Sequence, residues 1–387
     1  LPMLPEKLSN GICSLCPNQE RLTFCAVLQF DSLGERTASR FAPAVIRSQR
    51  RLAYEDACSI LKDRDSDDAM TVLLNRAWKL ASILRKRRYR LGSLDLDFPE
   101  TKVILDERGR PKEIRVVEHD ESHQLIEEFM VAANEAVAET ILKARRPSLY
   151  RIHEDPDPNK LLEFREQILR HGYHVGDLSN RSVLQGFLKK LRDQPDEPVL
   201  KLGLLKSLKR AAYHADSLGH YGLAKEHYTH FTSPIRRYTD LVVHRVLRSL
   251  LQPEMNHVTP AYKVVGEIAE HLSKTEHLAA KAELESKRLK VTEYFEGLAA
   301  KEGPPRRFEV MVTEVRRMGL FVEIIGFGTR GLIRVSDLSE DHYYRYEPQH
   351  RRFRAGKGRV YQVGDRVEAE LIRVDGKRGF IDLRPVI

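Results

Sequence analysis

Chemistry concentrates between Tyr221 and Arg245, YGLAKEHYTHFTSPIRRYTDLVVHR. His227, His230, Arg236, Arg237, His244 and Arg245 fall there in one stretch with the rings of Tyr228, Phe231 and Tyr238. Ser233-Pro234 punctuates the stretch, and the apolar Leu241-Val242-Val243 carries a helix beyond it. Arginines at a helix start, beside hydroxyls and exposed backbone amides, make an anion site suited to phosphate. Aromatic neighbours supply faces on which bases stack. The same residue types also build a buried polar network, and composition alone leaves these two readings level.

Two further spots invite a metal. Residues 63–69, DRDSDDA, set Asp63, Asp65, Asp67 and Asp68 at a spacing that mimics a metal-binding acid run, although aspartate-rich turns are usually solvated. Cys13-Ser14-Leu15-Cys16 is half of a zinc ribbon, but Cys25 and Cys58 are single and supply no second knuckle.

These residues need a scaffold, and the chain offers one in two styles. Arg21 to Phe30 mixes β-branched and aromatic residues and reads as a strand. Arg51 to Lys62 has apolar spacing at Leu52, Ala53, Ala57, Ile60 and Leu61 that suits a helix, and Ala77 to Tyr89 repeats that spacing with basic residues between. KVILD and EIRVV flank Glu107-Arg108-Gly109-Arg110 as a hairpin over Lys102 to Val117. Ser122 is the expected N-cap of a helix whose apolar stripe is Leu125, Phe129, Ala132 and Ala136. Leu161 to Gly172 and Ser182 to Leu191 are further amphipathic helices, closed by a turn at Gln194 to Glu197 that contains Pro195. A long helix is expected from Thr259-Pro260 as far as Tyr294. After Gly303-Pro304-Pro305 the pattern changes to five short β-rich runs (FEVMVTEV, GLFVEII, RGLIRV, RVEAELIRV and RGFIDL), the signature of a small OB-type barrel.

The 387 residues allow two or three domains at about 100–200 residues each. A hydrophobic content of 41% with 31% charged residues describes a globular chain and excludes a disordered one. No apolar run approaches the roughly 18 residues that span a bilayer, so no membrane role is expected. With 65 Lys and Arg against 56 Asp and Glu, the net charge is +9, which favours a polyanionic partner. Four cysteines cannot form a disulfide framework, so a reducing, cytoplasmic setting is expected.

The residue order is more specific than the composition. HYTHFTSPIRRYTDLVVHR closely resembles the signature of the ribonuclease II/ribonuclease R family, whose catalytic domain is called RNB. So do PMLPEKLSNGICSL at the start, FAPAVIRSQRRLAYEDA at 41–57, LIEEFMVAANEAVA at 125–138 and LKSLKRAAYHADSLGHYGLA at 205–224. Residues 304–387 resemble the S1-type RNA-binding domain that ends such enzymes. The implied architecture is α+β: residues 1–303 as an RNB domain truncated on its N-terminal side, and 304–387 as an S1-type OB fold.

The implied activity is processive 3′-to-5′ hydrolysis of single-stranded RNA to 5′-mononucleotides with Mg²⁺. Its logic is a two-metal clamp held by carboxylates, with a guanidinium steadying charge on the phosphate in flight. By position, Arg236 matches the family's catalytic arginine, Glu283 the acidic residue of its late helix, and Glu128 an acid placed near the terminal ribose. Tyr54 matches an RNA-contacting tyrosine, and His230, Arg237 and Tyr238 complete the RNA-binding set in the SPIRRY segment. In the terminal domain Phe321, Tyr343 and Tyr344 match positions of stacking aromatics. Residues 304–387 carry a net +5, and six cations lie in 345–359, Arg351 and Arg352 among them, as a salt-sensitive grip on phosphates. Asp95 and Asp97 match a segment near the RNA path, where packing or capping serves equally well.

One departure is expected. The family's metal-binding aspartates precede the PMLPEKLSNG segment, so they are expected upstream of Leu1 and no metal ligand is assigned in this chain; DRDSDDA corresponds to a variable surface loop. A start at Leu1 suggests a piece of a longer polypeptide, with a start at Met3 as the alternative. Three functional readings follow: a 3′-to-5′ exoribonuclease, monomeric when complete; a non-catalytic RNA-binding fragment; or half of an enzyme completed by an N-terminal partner chain.

Overall fold

The computed structural model describes residues 2–63, 67–96, 100–117, 119–194, 196–255, 259–301, 303–338, 343–350, 352–356, 360–376 and 378–386. In chain order its elements are β1 Glu20–Phe30, β2 Arg36–Arg47, α1 Tyr54–Lys62, α2 Ala69–Arg90, β3 Glu100–Leu105, β4 Pro111–Val117, α3 Glu121–Lys143, β5 Tyr150–Ile152, α4 Pro158–Arg170, α5 Arg181–Leu191, α6 Glu197–Ser207, β6 Ala212–His214, α7 Tyr238–Leu251 and α8 Tyr262–Ala299. They continue with β7 Arg307–Arg316, β8 Gly319–Ile324, β9 Thr329–Arg334, β10 Tyr344–Glu347, β11 Arg352–Ala355, β12 Val360–Gln362, β13 Arg366–Asp375 and β14 Phe380–Pro385. The chain is α+β, and it forms two compact units that do not follow the order of the sequence. The first comprises 1–96, 119–190 and 204–276; the second comprises 97–118, 191–203 and 277–387.

The first unit is built on α3. Asp120 caps this helix, accepting from the backbone N–H of Ser122 at 3.0 Å and of His123 at 3.2 Å. Ser122 is therefore not the cap: the helix starts before it, the carboxylate of Asp120 takes the first orphan donors, Ser122 N–H among them, and the serine hydroxyl itself lies 2.6 Å from Asp120 Oδ1. One side of α3 packs Leu125 with Leu61 of α1 and Ala81 of α2. Its later turns bury Ala136, Val137 and Ile141 against Phe41 of β2, Val242, Val243, Val246 and Leu247 of α7, and Val265 and Ala269 of α8. The β1–β2 hairpin and the short antiparallel pair β5–β6 complete this unit.

Helix bounds differ from the spacing in small, explicable ways. The α1 helix begins at Tyr54 rather than Arg51, and Asp56 Oδ2 accepts from Ala53 N–H at 3.4 Å. The α2 helix begins at Ala69 because Asp68 caps it, accepting from Met70 and Thr71 N–H. That gives part of the acid run a local task; Asp67 is exposed, and Asp65 lies outside the described residues. Pro195 does too. The α8 helix starts two residues after Pro260 and runs to Ala299.

In the second unit five strands close a barrel in the order β13-β14-β9-β8-β7, sealed by the parallel pair β14–β9. The β7–β8 connection depends on Gly319, at φ +153°, because a Cβ there would stand 2.1 Å from the Ile333 carbonyl oxygen. Val310, Val312, Leu320, Val322, Ile324 and Leu383 fill the interior. The β3–β4 hairpin belongs here, with Val103 and Ile114 against the same core, as do Val291 and Phe295 of α8. Between β9 and β13 lies an element not anticipated, a three-stranded antiparallel sheet β10-β11-β12. Among the described residues no helix is long and apolar enough to cross a membrane.

Candidate nucleic-acid interface

The Ser233-Pro234 turn and the first turn of α7 are tied by one carboxylate. Asp240, wholly buried, accepts from Ser233 N–H at 2.7 Å and from Arg237 Nη2 at 2.9 Å. The Ser233 carbonyl accepts from the N–H groups of Arg236 and Arg237. Arg237 is the extended N-cap residue of α7, and its guanidinium is fixed. Arg236 next to it is exposed, and among the described residues its guanidinium makes no hydrogen bond or ion pair. Tyr238 is exposed as well. Two adjacent arginines thus have different tasks: one holds the turn, the other presents charge.

The segment before this turn is threaded through side chains of distant elements. Tyr228 O accepts from Arg151 N–H at 2.9 Å, Thr229 Oγ1 donates to Leu149 O at 2.6 Å, and Asn134 of α3 accepts from Phe231 N–H while donating to Tyr228 Oη. His244 Nε2 lies 2.8 Å from Phe231 O, and its ring stacks on Phe231 at 4.4 Å. His230 Nδ1 lies 2.8 Å from Tyr213 Oη.

Burial, reinforced by the positive field of Arg237, Arg151, His220 and Arg236, pushes His230 down to about 2. Burial, then His153 and Arg151, pushes His220 down to about 3. His153 and His244 are lowered too, burial leading in both. Imidazoles held neutral this firmly are poor proton acceptors. The positive charge around His220 and His230 is therefore carried by guanidinium groups.

His153 and His220 line a cavity of about 930 Å³, together with Arg181, Tyr221, Glu135 and Lys225. Arg181 stacks over the Tyr221 ring at 4.1 Å and donates to the Gly92 and Tyr221 carbonyls. A second cavity of about 260 Å³ shares Arg87, Glu135, Glu139 and Lys225 with the first and is also lined by Glu128. Glu128 is only 2% exposed and pairs with Arg88 of α2 at 2.6 Å; Arg88 also reaches Ser93 and Glu127. Sequence reasoning missed Arg88, Arg181 and Lys225. Arg88 and Glu128 lie 40 residues apart, so no local spacing could announce them.

The remaining expected residues are dispersed. Tyr54, 43% exposed, stacks face to face on His123 at 3.8 Å, and His123 Nδ1 lies 2.8 Å from Asp120 Oδ1. In the second unit Glu283 sits on an exposed face of α8. Phe321 is half-buried in β8 with the Arg316 guanidinium 5.2 Å from its ring centroid, and Tyr343 is fully open to solvent. The expectation of a stacking platform at Tyr344 is corrected: Tyr344 lies on the face of β10 turned into the core, and its ring is buried against Tyr361. Arg352 is half-buried and bonded to Glu347 at 2.6 Å, while Arg351 and Asp97 lie outside the described residues. All four cysteines are free thiols. Among the described residues no three His, Cys, Asp or Glu side chains converge to hold a metal ion.

With this geometry in place, comparison with known proteins is informative. The RNB domain model matches residues 1–253, and the S1 RNA binding domain model matches 305–384. The chain is 39% identical to ribonuclease R of Thermotoga maritima, covering 99% of this chain and 54% of that protein, and 36% identical to ribonuclease R of Aquifex aeolicus over the same shares. It superposes on the structure of Mycoplasma genitalium RNase R in complex with ribose methylated single-stranded RNA with a TM-score of 0.88 at 28% identity, covering 100% of this chain and 61% of that one. The chain spans about half the length of the curated relatives it matches.

Proposed function

Because this chain belongs to the RNB domain family and carries an S1 RNA binding domain after it, we propose that it is the RNA-holding part of a 3′-to-5′ exoribonuclease of the ribonuclease R type. Its substrate is single-stranded RNA, shortened processively to 5′-mononucleotides. The observation that carries this reading is the division of labour in the SPIRRY turn. Asp240 fixes Arg237 and the Ser233 amide, which leaves the exposed Arg236 as a cation aimed at a phosphodiester. A guanidinium there steadies negative charge on a phosphate undergoing displacement. Neutral His220 and His230 keep the neighbourhood polar without adding repulsion between cations.

Within this proposal Tyr54 and Tyr238 offer ring faces to bases, Arg236 contacts phosphate, and Glu283 contributes from the late helix. Arg237 and His230 hold the turn's shape, and Glu128, pinned by Arg88, acts on the ribose from the wall of the smaller cavity. Phe321, Tyr343, Arg351 and Arg352 belong to the second grip, in 304–387. Mg²⁺ would need acids other than those described here, so no step is assigned to it. The setting is the cytoplasm, with the complete enzyme a monomer.

A second reading, an RNA-binding fragment without catalysis, follows if the family's metal-binding aspartates lie on polypeptide ahead of the PMLPEKLSNG segment. One experiment addresses both. The chain, mixed with labelled oligo(A), is expected to bind with an affinity that falls steeply with salt, and to release no mononucleotide when Mg²⁺ is added. A flat salt response overturns the phosphate-holding role. Brisk release of 5′-mononucleotides overturns the second reading and the expectation that the catalytic acids lie elsewhere.

A further inference from the structure

The β10-β11-β12 sheet has two unlike faces. Tyr344, Phe353, Ala355 and Tyr361 point into the core of the second unit. The alternate positions point the other way, and the register sets Arg345 directly opposite Arg354, both exposed. Like charges directly across an antiparallel pair oppose sheet formation. The next pair on that face, Glu347 and Arg352, is bonded at 2.6 Å. Glu347 also lies within electrostatic reach of Arg354 and His350. One carboxylate therefore serves two guanidinium groups, bonded to Arg352 and only near Arg354, and among the described residues neither Arg345 nor Arg354 has a hydrogen bond or ion pair of its own. A short edge ribbon that keeps two opposed cations invites an anion between them.

We propose that the outer face of this sheet, through Arg345 and Arg354, binds the phosphodiester backbone of single-stranded RNA as a contact separate from the five-stranded barrel. The inference rests on the RNA-binding reading and adds to it a specific pair of phosphate contacts. Two guanidiniums spaced across neighbouring strands bracket consecutive phosphates, whereas the ring faces that could read bases on this sheet are turned inward. The contact therefore adds affinity without sequence preference.

The test uses the full chain with Arg345→Gln/Arg354→Gln, fluorescein-labelled oligo(A), a salt series and a thermal melt. A two-charge control, Arg165→Gln/Arg170→Gln on α4, matches the change in net charge at exposed positions of the other unit. The sheet variant is expected to bind at least fivefold more weakly at low salt, and its log–log salt slope is expected to flatten by about 1.4, two phosphates at ~0.7 each. Its melting midpoint is expected to hold or rise, because a repulsive pair has gone. That opposite movement of stability and affinity separates a binding role from a structural one. Unchanged affinity and slope in the sheet variant, while wild type binds, overturns this inference alone. Equal weakening in the α4 control overturns it in favour of net charge. A wild-type chain that binds no RNA overturns the underlying reading as well.

Discussion

Arg236 and Arg237 are chemically identical neighbours, yet a single carboxylate separates their roles. Arg237 is bonded to Asp240, which has no exposure to solvent. Removing the guanidinium leaves that carboxylate buried without its cation. Arg237→Ala is therefore expected to cost about 3 kcal/mol of stability in urea unfolding, the low end for breaking a buried pair, since the arginine keeps some exposure. Arg236→Ala is expected to stay within about 0.5 kcal/mol of wild type, as an exposed side chain with no hydrogen bond or ion pair among the described residues, while weakening oligo(A) binding. Equal losses of stability in the two variants would make both arginines structural. The Arg237-x-x-Asp240 spacing that distinguishes the two arginines was open to view in the SPIRRYTD segment, because both residues sit on one turn. The Arg88–Glu128 pair was not, because its members come from α2 and α3 and meet only after those helices pack.

At the scale of elements, the 220–231 segment is held by neutral imidazoles, and this sets its response to acid. His220 is down at about 3 and His230 at about 2, mainly through burial, while unfolded histidines titrate near their ordinary 6.5. Above pH 6.5 neither state binds the proton, so the full stability is present. As pH falls below 6.5 the unfolded chain takes up protons that the folded chain refuses, and stability drops by up to about 1.4 kcal/mol per pH unit for each such histidine. Asp120, held below the ordinary carboxylate range by Ser122 and His123 hydrogen bonds that outweigh its burial, loses its contribution only under more acidic conditions. In the interval from 6.5 to 4.5 the four histidines that burial keeps neutral lower stability, opposed by the carboxyl of Glu323, which burial pushes up. Urea unfolding across that interval should show falling stability, with a shallower fall in His220→Asn; a flat profile in wild type would mean that the rings are not kept neutral. The five barrel strands were legible because their apolar runs are regularly spaced and bounded by glycine. The β10–β12 sheet was not, since strands of three or four residues with arginine on the outer face look like a basic loop.

At the scale of the whole molecule, the composition change at Gly303-Pro304-Pro305 marks where helix gives way to barrel, but the second unit gathers its core from both sides of it. Phe295 of α8 is fully buried, 5.3 Å from Phe308 and 5.2 Å from Phe327, and Val291 is nearly so. The sequence could not reveal this, because apolar residues on a long helix suit any core that reaches them. The consequence is quantitative. A fragment that starts at residue 304 strips two buried side chains from the barrel and uncovers the aromatic rings they pack on. At about 1.5–3 kcal/mol for each buried Val or Phe, it should be at least about 3 kcal/mol less stable than a fragment of residues 277–387. It should also bind an apolar dye that the longer fragment leaves in solution. Denaturant unfolding of the two fragments side by side decides the matter. Coincident midpoints would mean that the five strands supply the whole core and that the end of α8 merely rests on it.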